Sequence, residues 1–263
     1  MPPSRQVCDP RDQFANFSWT PNSRHPKGCI GFEKSPWMNL CVIPARGGSK
    51  RIPRKNIRLF AGMPMIAYAI QAAQRSGLFS RIIVSTEDEE VRKVSLELGA
   101  EVPFMRPPEL ADDYTPTVPV IAHAIRKLEE TGSNLTYVCC IYPCVPFIEE
   151  KDLKKALSLL EKANSEYSFP VVEYPAPIQR ALKLGLGDQV FPFYPEFELS
   201  RTQDLERAYH DAGQFYWGRK KAWLTNQRVH SSAVGLEIPH FRVVDIDTHD
   251  DWKRAEVLMS IRS

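Results

Sequence analysis

Apolar runs of four to six residues alternate along this chain with longer segments whose apolar positions recur every three or four residues. The first pattern predicts strands over residues 40–43, 81–85, 101–105 and 137–142, and the second predicts helices over residues 65–76, 89–98, 117–128 and 149–163. The run over residues 137–142 is apolar throughout, which is typical of a strand covered on both faces of its sheet. This alternation favours an α/β protein with a mostly parallel sheet between two layers of helices.

The alternation stops after about residue 173 and resumes near residue 214. Residues 174–209 are rich in proline, glycine and aromatic side chains, which predicts an inserted β-rich lobe or long loops. Beyond them, the pattern predicts strands over residues 214–217 and 241–246 and a closing helix over residues 249–262. Helix caps are expected from Asp247 or Thr248 for the closing helix and from Thr115 or Thr117 for the helix over residues 117–128.

Residues 1–37 differ from the rest because six prolines punctuate a polar segment without helical or strand periodicity. This composition predicts a disordered or non-native N-terminal extension. Met38 stands just ahead of the first predicted strand, and we expect it to be the natural start. The N-terminus lacks the apolar core of a signal peptide, and no apolar run approaches the roughly 20 residues that span a bilayer. A cytoplasmic protein without a membrane partner is therefore expected.

Composition narrows the possible functions further. A chain of 263 residues with 43% apolar and 25% charged residues fits either one large globular domain or one domain with a small appendage. The net charge of +2, from 34 basic and 32 acidic residues, argues against a nucleic-acid partner. The six cysteines contain no Cys-x-x-Cys pair, so free thiols are expected rather than a zinc site or a redox pair.

A turn rich in glycine and cations follows the first predicted strand, with the sequence Ala45-Arg-Gly-Gly-Ser-Lys-Arg-Ile-Pro-Arg-Lys-Asn56. Glycine allows backbone N–H groups near Gly47 and Ser49 to approach an anion closely, and the cations can neutralise it. The turn has neither the Walker spacing nor the Gly-x-Gly-x-x-Gly spacing of dinucleotide sites. A polyphosphate site and a solvated basic loop both fit this segment.

Two carboxylates, Asp245 and Asp247, stand two residues apart at the end of the predicted strand over residues 241–246. Strand alternation would place both on one face, where they could hold Mg²⁺ together with substrate phosphates. The alternative is that they serve a helix cap and a strand-end turn, which aspartate also favours.

Several motifs, taken in order, resemble those of the CMP-sialic acid synthetase (acylneuraminate cytidylyltransferase) family. They are Ile43-Pro-Ala-Arg-Gly-Gly-Ser-Lys50 with Lys55-Asn56, Val84-Ser-Thr-Glu-Asp88, Arg106-Pro-Pro-Glu-Leu-Ala-Asp-Asp113, Tyr142-Pro-Cys-Val-Pro-Phe147 and Asp245-Ile-Asp-Thr248. The resemblance covers nearly all of the chain beyond the extension. Each motif alone is common, but their order is specific.

The resemblance implies a Rossmann-like nucleotidyltransferase fold of three layers over residues 38–263, with residues 174–209 as a small inserted dimerisation lobe. It also implies a homodimer that uses Mg²⁺ to transfer CMP from CTP to the anomeric hydroxyl of a nine-carbon 2-keto (nonulosonic) sugar acid. Tyr142 and Asp211-Ala212 depart from the pattern for N-acetylneuraminate, which favours pseudaminic acid. N-Acetylneuraminate, legionaminate and 3-deoxy-manno-octulosonate remain the alternatives.

Site residues follow from the resemblance, position by position. The resemblance implies nucleotide contacts from Ala45, Arg46, Gly47, Ser49, Lys50, Lys55, Asn56, Arg106 and Thr117, of which Arg46, Lys50 and Lys55 are the expected catalytic cations. It implies sugar contacts from Tyr142, Arg201, Asp211 and Gln214, with Arg201 offered across the dimer, and magnesium ligands from Asp245 and Asp247. Two functions of other classes stay open, a non-catalytic nucleotide-binding module and a nucleic-acid binder that uses the basic loop.

Overall fold

The structure is a computed structural model that describes residues 38–225 and 228–262. The predicted extension over residues 1–37, with Cys8 and Cys29, lies outside the described residues. The strands are β1 (Met38–Pro44), β2 (Leu59–Phe60), β3 (Met63–Pro64), β4 (Arg81–Ser85), β5 (Leu135–Ile141), β6 (Tyr167–Glu173), β7 (Leu182–Leu184), β8 (Val190–Pro192), β9 (Tyr209–Asp211), β10 (Phe215–Arg219) and β11 (Ala233–Glu237). The α-helices are α1 (Met65–Ser76), α2 (Glu89–Glu97), α3 (Thr117–Glu129), α4 (Glu150–Lys162), α5 (Lys220–Leu224) and α6 (His249–Arg262). In the part described, no helix is both long enough and apolar enough to cross a membrane.

The central sheet has the strand order β11-β6-β10-β5-β1-β4, and β9 adds to β6. Strand β1 is parallel to both β4 and β5, and β6 is parallel to β11. Strand β10 runs antiparallel to β5 and β6 and so joins the two parallel parts. The predicted fold class is confirmed, with the reversed strand β10 as the feature that periodicity did not reveal.

Helices cover both faces of the sheet, and successive side chains of β1 point to opposite faces. Cys41 and Ile43 pack in a core with α1, α2 and α4, whereas Leu40 and Val42 pack in a second core with α3 and α5. All four side chains are completely buried. A strand buried on both faces reads as a continuous apolar run, which is why β1 and β5 could be predicted from their composition.

The predicted helices are confirmed to within a residue or two at each end. Helix α1 ends at Gly77, whose φ of 67° places it in the left-handed conformation that glycine adopts most readily. Helix α6 begins after Thr248, whose hydroxyl accepts the Asp251 N–H at 3.2 Å while the Asp251 carboxylate accepts the Thr248 N–H at 2.7 Å. This reciprocal arrangement confirms Thr248, of the two predicted candidates, as the cap of the closing helix.

Two predicted strands and one predicted cap are wrong. Residues 101–105 make only a single bridge, between Glu101 and Ile83, and Pro103 offers no N–H to extend the pairing. Residues 241–246 contain a short 3-10 turn over His240–Arg242 instead of a strand. Pro116, without a side-chain cap, precedes α3, since the hydroxyls of Thr115 and Thr117 bond elsewhere.

The segment that replaces the predicted strand is held by buried polar contacts. The Arg242 guanidinium lies 2.5 Å from the Asp152 carboxylate of α4 and 2.8 Å from Glu149. The Gln214 side chain donates to the Arg242 carbonyl at 2.7 Å. A buried ion pair tolerates the loss of one partner poorly, so these contacts fix the path of the chain toward Asp245 and Asp247.

Residues 174–208 leave the sheet and return to it. The chain departs after β6 and returns in β9, where Glu173 and Tyr209 are directly paired. Between them lie the β7–β8 hairpin and several short 3-10 turns, with many exposed apolar side chains. The structure thus has loops and one small hairpin at the predicted insertion, and its role in dimerisation stays a prediction.

Candidate active site

A cavity of about 360 Å³ opens where the carboxyl ends of β1 and β5 meet, the edge at which open α/β sheets bind ligands. Three chain segments supply most of its wall: the loop after β1, the segment between Arg106 and α3, and the turn before α6. Ten of the sequence-predicted site residues line this cavity. They are Arg46, Ser49, Lys50, Lys55, Asn56, Arg106, Thr117, Tyr142, Asp245 and Asp247.

The cations of the loop after β1 are paired with carboxylates across the cavity. Arg46 Nη1 lies 2.6 Å from Asp113 Oδ1 and donates to the Asp112 carbonyl at 3.0 Å. Lys50 Nζ forms an ion pair with the other oxygen of Asp113. The two cations together hold the pKa of Asp113 below its usual value, Lys50 being the larger influence. This part of the cavity is therefore built to hold negative charge.

A second set of charges lies at the other side of the loop. Lys55 Nζ donates to the Ile246 carbonyl at 2.6 Å and lies 3.3 Å from Asp247 Oδ1. Arg51 Nη2 lies 2.8 Å from the other oxygen of the same carboxylate. Lys55 and Asp247 are separated by 192 residues in sequence, so the fold alone brings the two predicted groups together.

Gly47 has a different role from the one its sequence suggests. Its N–H donates to Glu87 Oε1 at 2.7 Å instead of facing the cavity, and the Ser49 N–H is taken by the Gly47 carbonyl at 3.0 Å. A Cβ at Gly47 would lie 2.3 Å from Asp88 Oδ2. Glycine is needed here for close packing, and the affinity of the loop for anions comes from its cationic side chains.

Arg54 fastens this loop to the start of α2, a contact that sequence reasoning missed. Its guanidinium bonds both oxygens of Asp88, at 2.6 and 3.0 Å, and also pairs with Glu90. Asp88 in turn caps α2 by accepting the N–H groups of Glu90 and Val91. The hydrogen bond from Arg54 is the main cause of the lowered pKa of Asp88. The only sequence signal was an Asp at the expected start of a helix.

Asn56 ties the loop to the segment that follows β5. Its side chain is buried, with its Nδ2 donating to the Arg46 carbonyl at 2.7 Å and its Oδ1 accepting the Cys144 thiol at 3.2 Å. Burial raises the pKa of Cys144 to about 12, so the thiol keeps its proton at neutral pH. The Asn56 amide therefore holds the backbone of a predicted catalytic cation in place.

Arg106 is the deeply placed cation of the cavity. Its guanidinium bonds the hydroxyl of Ser85 at 3.2 Å and also bonds the Ser85 carbonyl, at the carboxyl end of β4. Desolvation by burial lowers the pKa of Arg106, and the charge of Glu87 opposes that shift. A cation fixed by the backbone in this way can present its remaining N–H groups to a ligand.

Polar side chains continue from the cavity wall into the protein. The Thr117 and Tyr142 hydroxyls lie 2.8 Å apart, and burial raises the pKa of Tyr142 to about 12. Behind them, Tyr216 donates to Asp211 Oδ2 at 2.8 Å, and the His230 ring lies 2.9 Å from the same oxygen. Tyr142 thus lines the cavity with its hydroxyl protonated. Asp211 instead binds Tyr216 and His230 behind the cavity wall.

The cavity wall does not include five of the predicted residues. Ala45 is completely buried, and its N–H donates to the Ser85 carbonyl at 3.0 Å, while Gly47 and Asp211 make the contacts given above. Gln214 is buried and holds the Arg242 carbonyl. Arg201 lies on the segment over residues 174–208, where it pairs with Asp204 at 2.7 Å. The role of Arg201 at the active site of a partner stays a prediction.

Asp245 and Asp247 form a carboxylate pair that fits a divalent cation. Desolvation and then the charge of Asp247 raise the pKa of Asp245, so the two negative charges oppose each other. Two carboxylates with space for phosphate oxygens and waters form the donor set that Mg²⁺ takes. No group of three or more His, Cys, Asp or Glu side chains suited to a metal occurs within residues 38–225 and 228–262.

Converging cations, a carboxylate pair and an open strand edge are the features with which proteins bind and activate phosphate groups. A family model described as cytidylyltransferase matches residues 40–232. The chain belongs to this cytidylyltransferase family, and it is therefore a nucleotidyltransferase enzyme. The predicted family and enzyme class are confirmed.

Individual relatives refine this assignment. The chain is 44% identical over 226 residues to the pseudaminic acid cytidylyltransferase of Campylobacter jejuni subsp. jejuni serotype O:23/36 (strain 81-176), covering 85% of this chain and 97% of that protein. It is 29% identical over 230 residues to the CMP-N,N'-diacetyllegionaminic acid synthase of Legionella pneumophila, covering 84% and 96%. Its fold is similar, with a TM-score of 0.63 and 16% identity, to a CMP:2-keto-3-deoxy-manno-octonic acid synthetase solved with CTP, over 86% of this chain and 100% of that chain.

The contact between Gly47 and Asp88 leads to a prediction on stability. Gly47→Ala forces Asp88 away from Arg54 and from the start of α2, and we expect it to lower the free energy of unfolding by about 1–3 kcal/mol. Gly48→Ala is the matched control, because a Cβ there meets no atom within 4 Å. Urea unfolding followed by circular dichroism measures both variants, and equal stabilities would contradict this role for Gly47.

Proposed function

We propose that this enzyme transfers CMP from CTP to the anomeric hydroxyl of a nonulosonic sugar acid, with pseudaminic acid as the preferred acceptor. The proposal is carried by the meeting of Arg46, Lys50 and Lys55 with the carboxylate pair in one cavity. The acceptor is supported by the 44% identical relative, whose name specifies pseudaminic acid. Legionaminate is the second candidate, because a more distant relative over nearly the same length is named for it.

The cations of the loop after β1 are proposed to bind the triphosphate. Arg46, Lys50 and Lys55 neutralise charge on the phosphates as the sugar oxygen bonds to the α-phosphorus and the bond to pyrophosphate breaks. Such reactions depend on positioning and charge stabilisation more than on covalent participation by the protein. Ser49 lines the same part of the cavity and can donate its hydroxyl to a phosphate oxygen.

The nucleoside is proposed to lie against the inner wall of the cavity. Asn56, Arg106 and Thr117 line that wall and carry hydrogen-bonding groups that suit a pyrimidine base and a ribose. Ala45 and Gly47, which do not line the cavity, shape the turn that brings Arg46 there. Their nucleotide role is proposed as backbone support.

Asp245 and Asp247 are proposed to hold Mg²⁺ beside the triphosphate. When bound, such an ion polarises a phosphate group and favours the departure of pyrophosphate. The Asp247 carboxylate already lies within an ion-pair distance of both Arg51 and Lys55. It can therefore exchange a protein cation for a metal ion without moving to another part of the cavity.

The sugar acid is proposed to contact Tyr142, whose hydroxyl lines the cavity beside Thr117. Asp211 supports this wall through Tyr216, and Gln214 supports it by holding the Arg242 carbonyl. In this proposal, Asp211 and Gln214 position the cavity wall and do not bind the sugar directly, although the sequence predicted direct contacts.

A homodimer is proposed to form through residues 174–208. This segment exposes several large apolar side chains, with Leu186 at 96% exposure and Leu199 at 97%. Clustered exposed apolar side chains are the mark of a protein interface. Arg201 lies on the same segment, so a partner's copy could reach a neighbouring active site.

The acceptor preference can be measured directly. We expect the purified enzyme, supplied with CTP and Mg²⁺, to release pyrophosphate fastest with pseudaminic acid in a panel that includes legionaminate, N-acetylneuraminate and 3-deoxy-manno-octulosonate. Mass spectrometry of the CMP-sugar product identifies the acceptor in each case. Faster turnover of another acid would transfer the assignment to that sugar, and no turnover with any acid would contradict the proposed function.

The charge-stabilising residues can be tested by substitution. We expect Arg46→Ala and Asp247→Ala each to lower kcat/KM by about 100- to 1000-fold, because each removes a group that acts on the developing charge. Arg126→Ala and Asp250→Ala are controls of equal charge change at exposed helical positions outside the cavity wall. Near-normal turnover in a folded Arg46→Ala or Asp247→Ala variant would refute the assigned role.

The dimer can be tested by placing a charge in the exposed apolar segment. Sedimentation is expected to give twice the chain mass of 30.0 kDa for the wild type and the single-chain mass for Leu186→Asp. Val257→Asp, at an exposed apolar position on α6, is the matched control and should keep the dimer mass. A monomeric wild-type protein, or a Leu186→Asp variant that stays dimeric, would count against this interface.

A further inference from the structure

The Asp113 carboxylate pairs with two cations to which the triphosphate is proposed to bind. Its two carboxylate oxygens contact Arg46 Nη1, at 2.6 Å, and Lys50 Nζ. Both cations line the cavity and are assigned to phosphate binding in the proposed function. The carboxylate thus bridges two cations in the way that a phosphate group with two oxygens would.

The chain around Asp113 holds this carboxylate at the cavity. The Asp112 side chain accepts the N–H groups of Tyr114 and Thr115, at 2.9 and 2.6 Å, which closes a tight turn. The Thr115 hydroxyl also bonds Asp112 Oδ1 at 2.7 Å. Arg46 donates to the Asp112 carbonyl as well, so the turn and the loop after β1 contact each other at two successive residues.

Asp113 differs from Asp247, the other carboxylate that pairs with cations in the cavity. Asp247 lies beside Asp245 and has a further use in the proposed metal site. Among the residues that the structure describes, the Asp113 carboxylate contacts only these two cations, and its segment joins the buried Arg106 to helix α3. A nucleotide phosphate that takes Arg46 and Lys50 therefore has to separate Asp113 from them.

We propose that the Asp113 carboxylate occupies the place of a phosphate group in the unliganded enzyme, and that nucleotide binding exchanges this carboxylate for the triphosphate. This inference rests on the proposed use of CTP. Asp113 is then a residue that sets nucleotide affinity: it offsets the repulsion between Arg46 and Lys50 and orients both before the nucleotide arrives, and it competes with the nucleotide for both. The same competition assists the release of pyrophosphate after transfer.

The test compares Asp113→Asn with the wild type in calorimetric titrations with CTP, without sugar acid. Asparagine keeps the size and an acceptor oxygen but removes the charge, so we expect CTP to bind about 3- to 10-fold more tightly, the scale of the two partly exposed ion pairs that are lost. The gain should shrink as ionic strength rises, because salt screens such pairs. Asp113→Ala, which also removes the acceptor, should show at least the same gain.

Glu109→Gln is the matched control, because it removes one negative charge from the same segment at a position that does not line the cavity. It should bind CTP as the wild type does and keep wild-type turnover. A gain equal to that of Asp113→Asn would show a general charge effect and overturn the inference. Unchanged or weaker CTP binding by both Asp113 variants would overturn it as well.

A second probe separates this inference from the proposed function. Inorganic tripolyphosphate should also bind more tightly to Asp113→Asn than to the wild type, since it carries the charges that displace the carboxylate. If tripolyphosphate shows the gain while the wild type fails to bind CTP, the exchange at Asp113 is supported and the proposed nucleotide is wrong. If the wild type binds CTP and neither ligand shows the gain, the exchange is wrong and the proposed function stands.

Discussion

Repulsion between five cations in one cavity is the constraint on which the arrangement of this site depends. Arg46, Lys50, Arg51, Lys55 and Arg106 all line the same space at the end of the sheet. Like charges at such short range oppose folding unless anions or dipoles lie among them. The structure meets this need with carboxylates from distant parts of the chain and, for the most buried cation, with a backbone carbonyl. A ligand rich in negative charge can take over each of these pairings.

Much of the fold could be predicted because its main elements carry their own patterns. The helix at Met65–Ser76 and the strand at Arg81–Ser85 have the bounds that periodicity gave them, since one apolar face or one apolar run decides each. The failed strand over residues 241–246 shows the limit. Arg242 is buried there against Asp152, 90 residues earlier, and no local pattern shows that a charged side chain will point inward.

The residues of the candidate site could be predicted where their type and order form a motif. They could not be predicted where contacts between distant parts of the chain determine their role. The motif residues Arg46 and Lys55 reach the cavity as expected. The partners that hold the loop did not follow from the sequence, because Arg54 meets Asp88 only after the loop folds over the start of a helix. Gly47 was correctly singled out for the wrong reason, since the atom that excludes a Cβ belongs to a side chain 41 residues away.

The paired residues Glu173 and Tyr209 close the inserted segment at its base. Its two ends are joined by sheet hydrogen bonds, and the next residue, Tyr174, donates its N–H to the Ala208 carbonyl at 2.9 Å. The length of a closed excursion of this kind has a weak effect on its closure entropy. Evolution could therefore lengthen, shorten or replace residues 174–208 while the cavity wall of the same chain stayed intact, so this segment could change more freely than the loops that line the cavity.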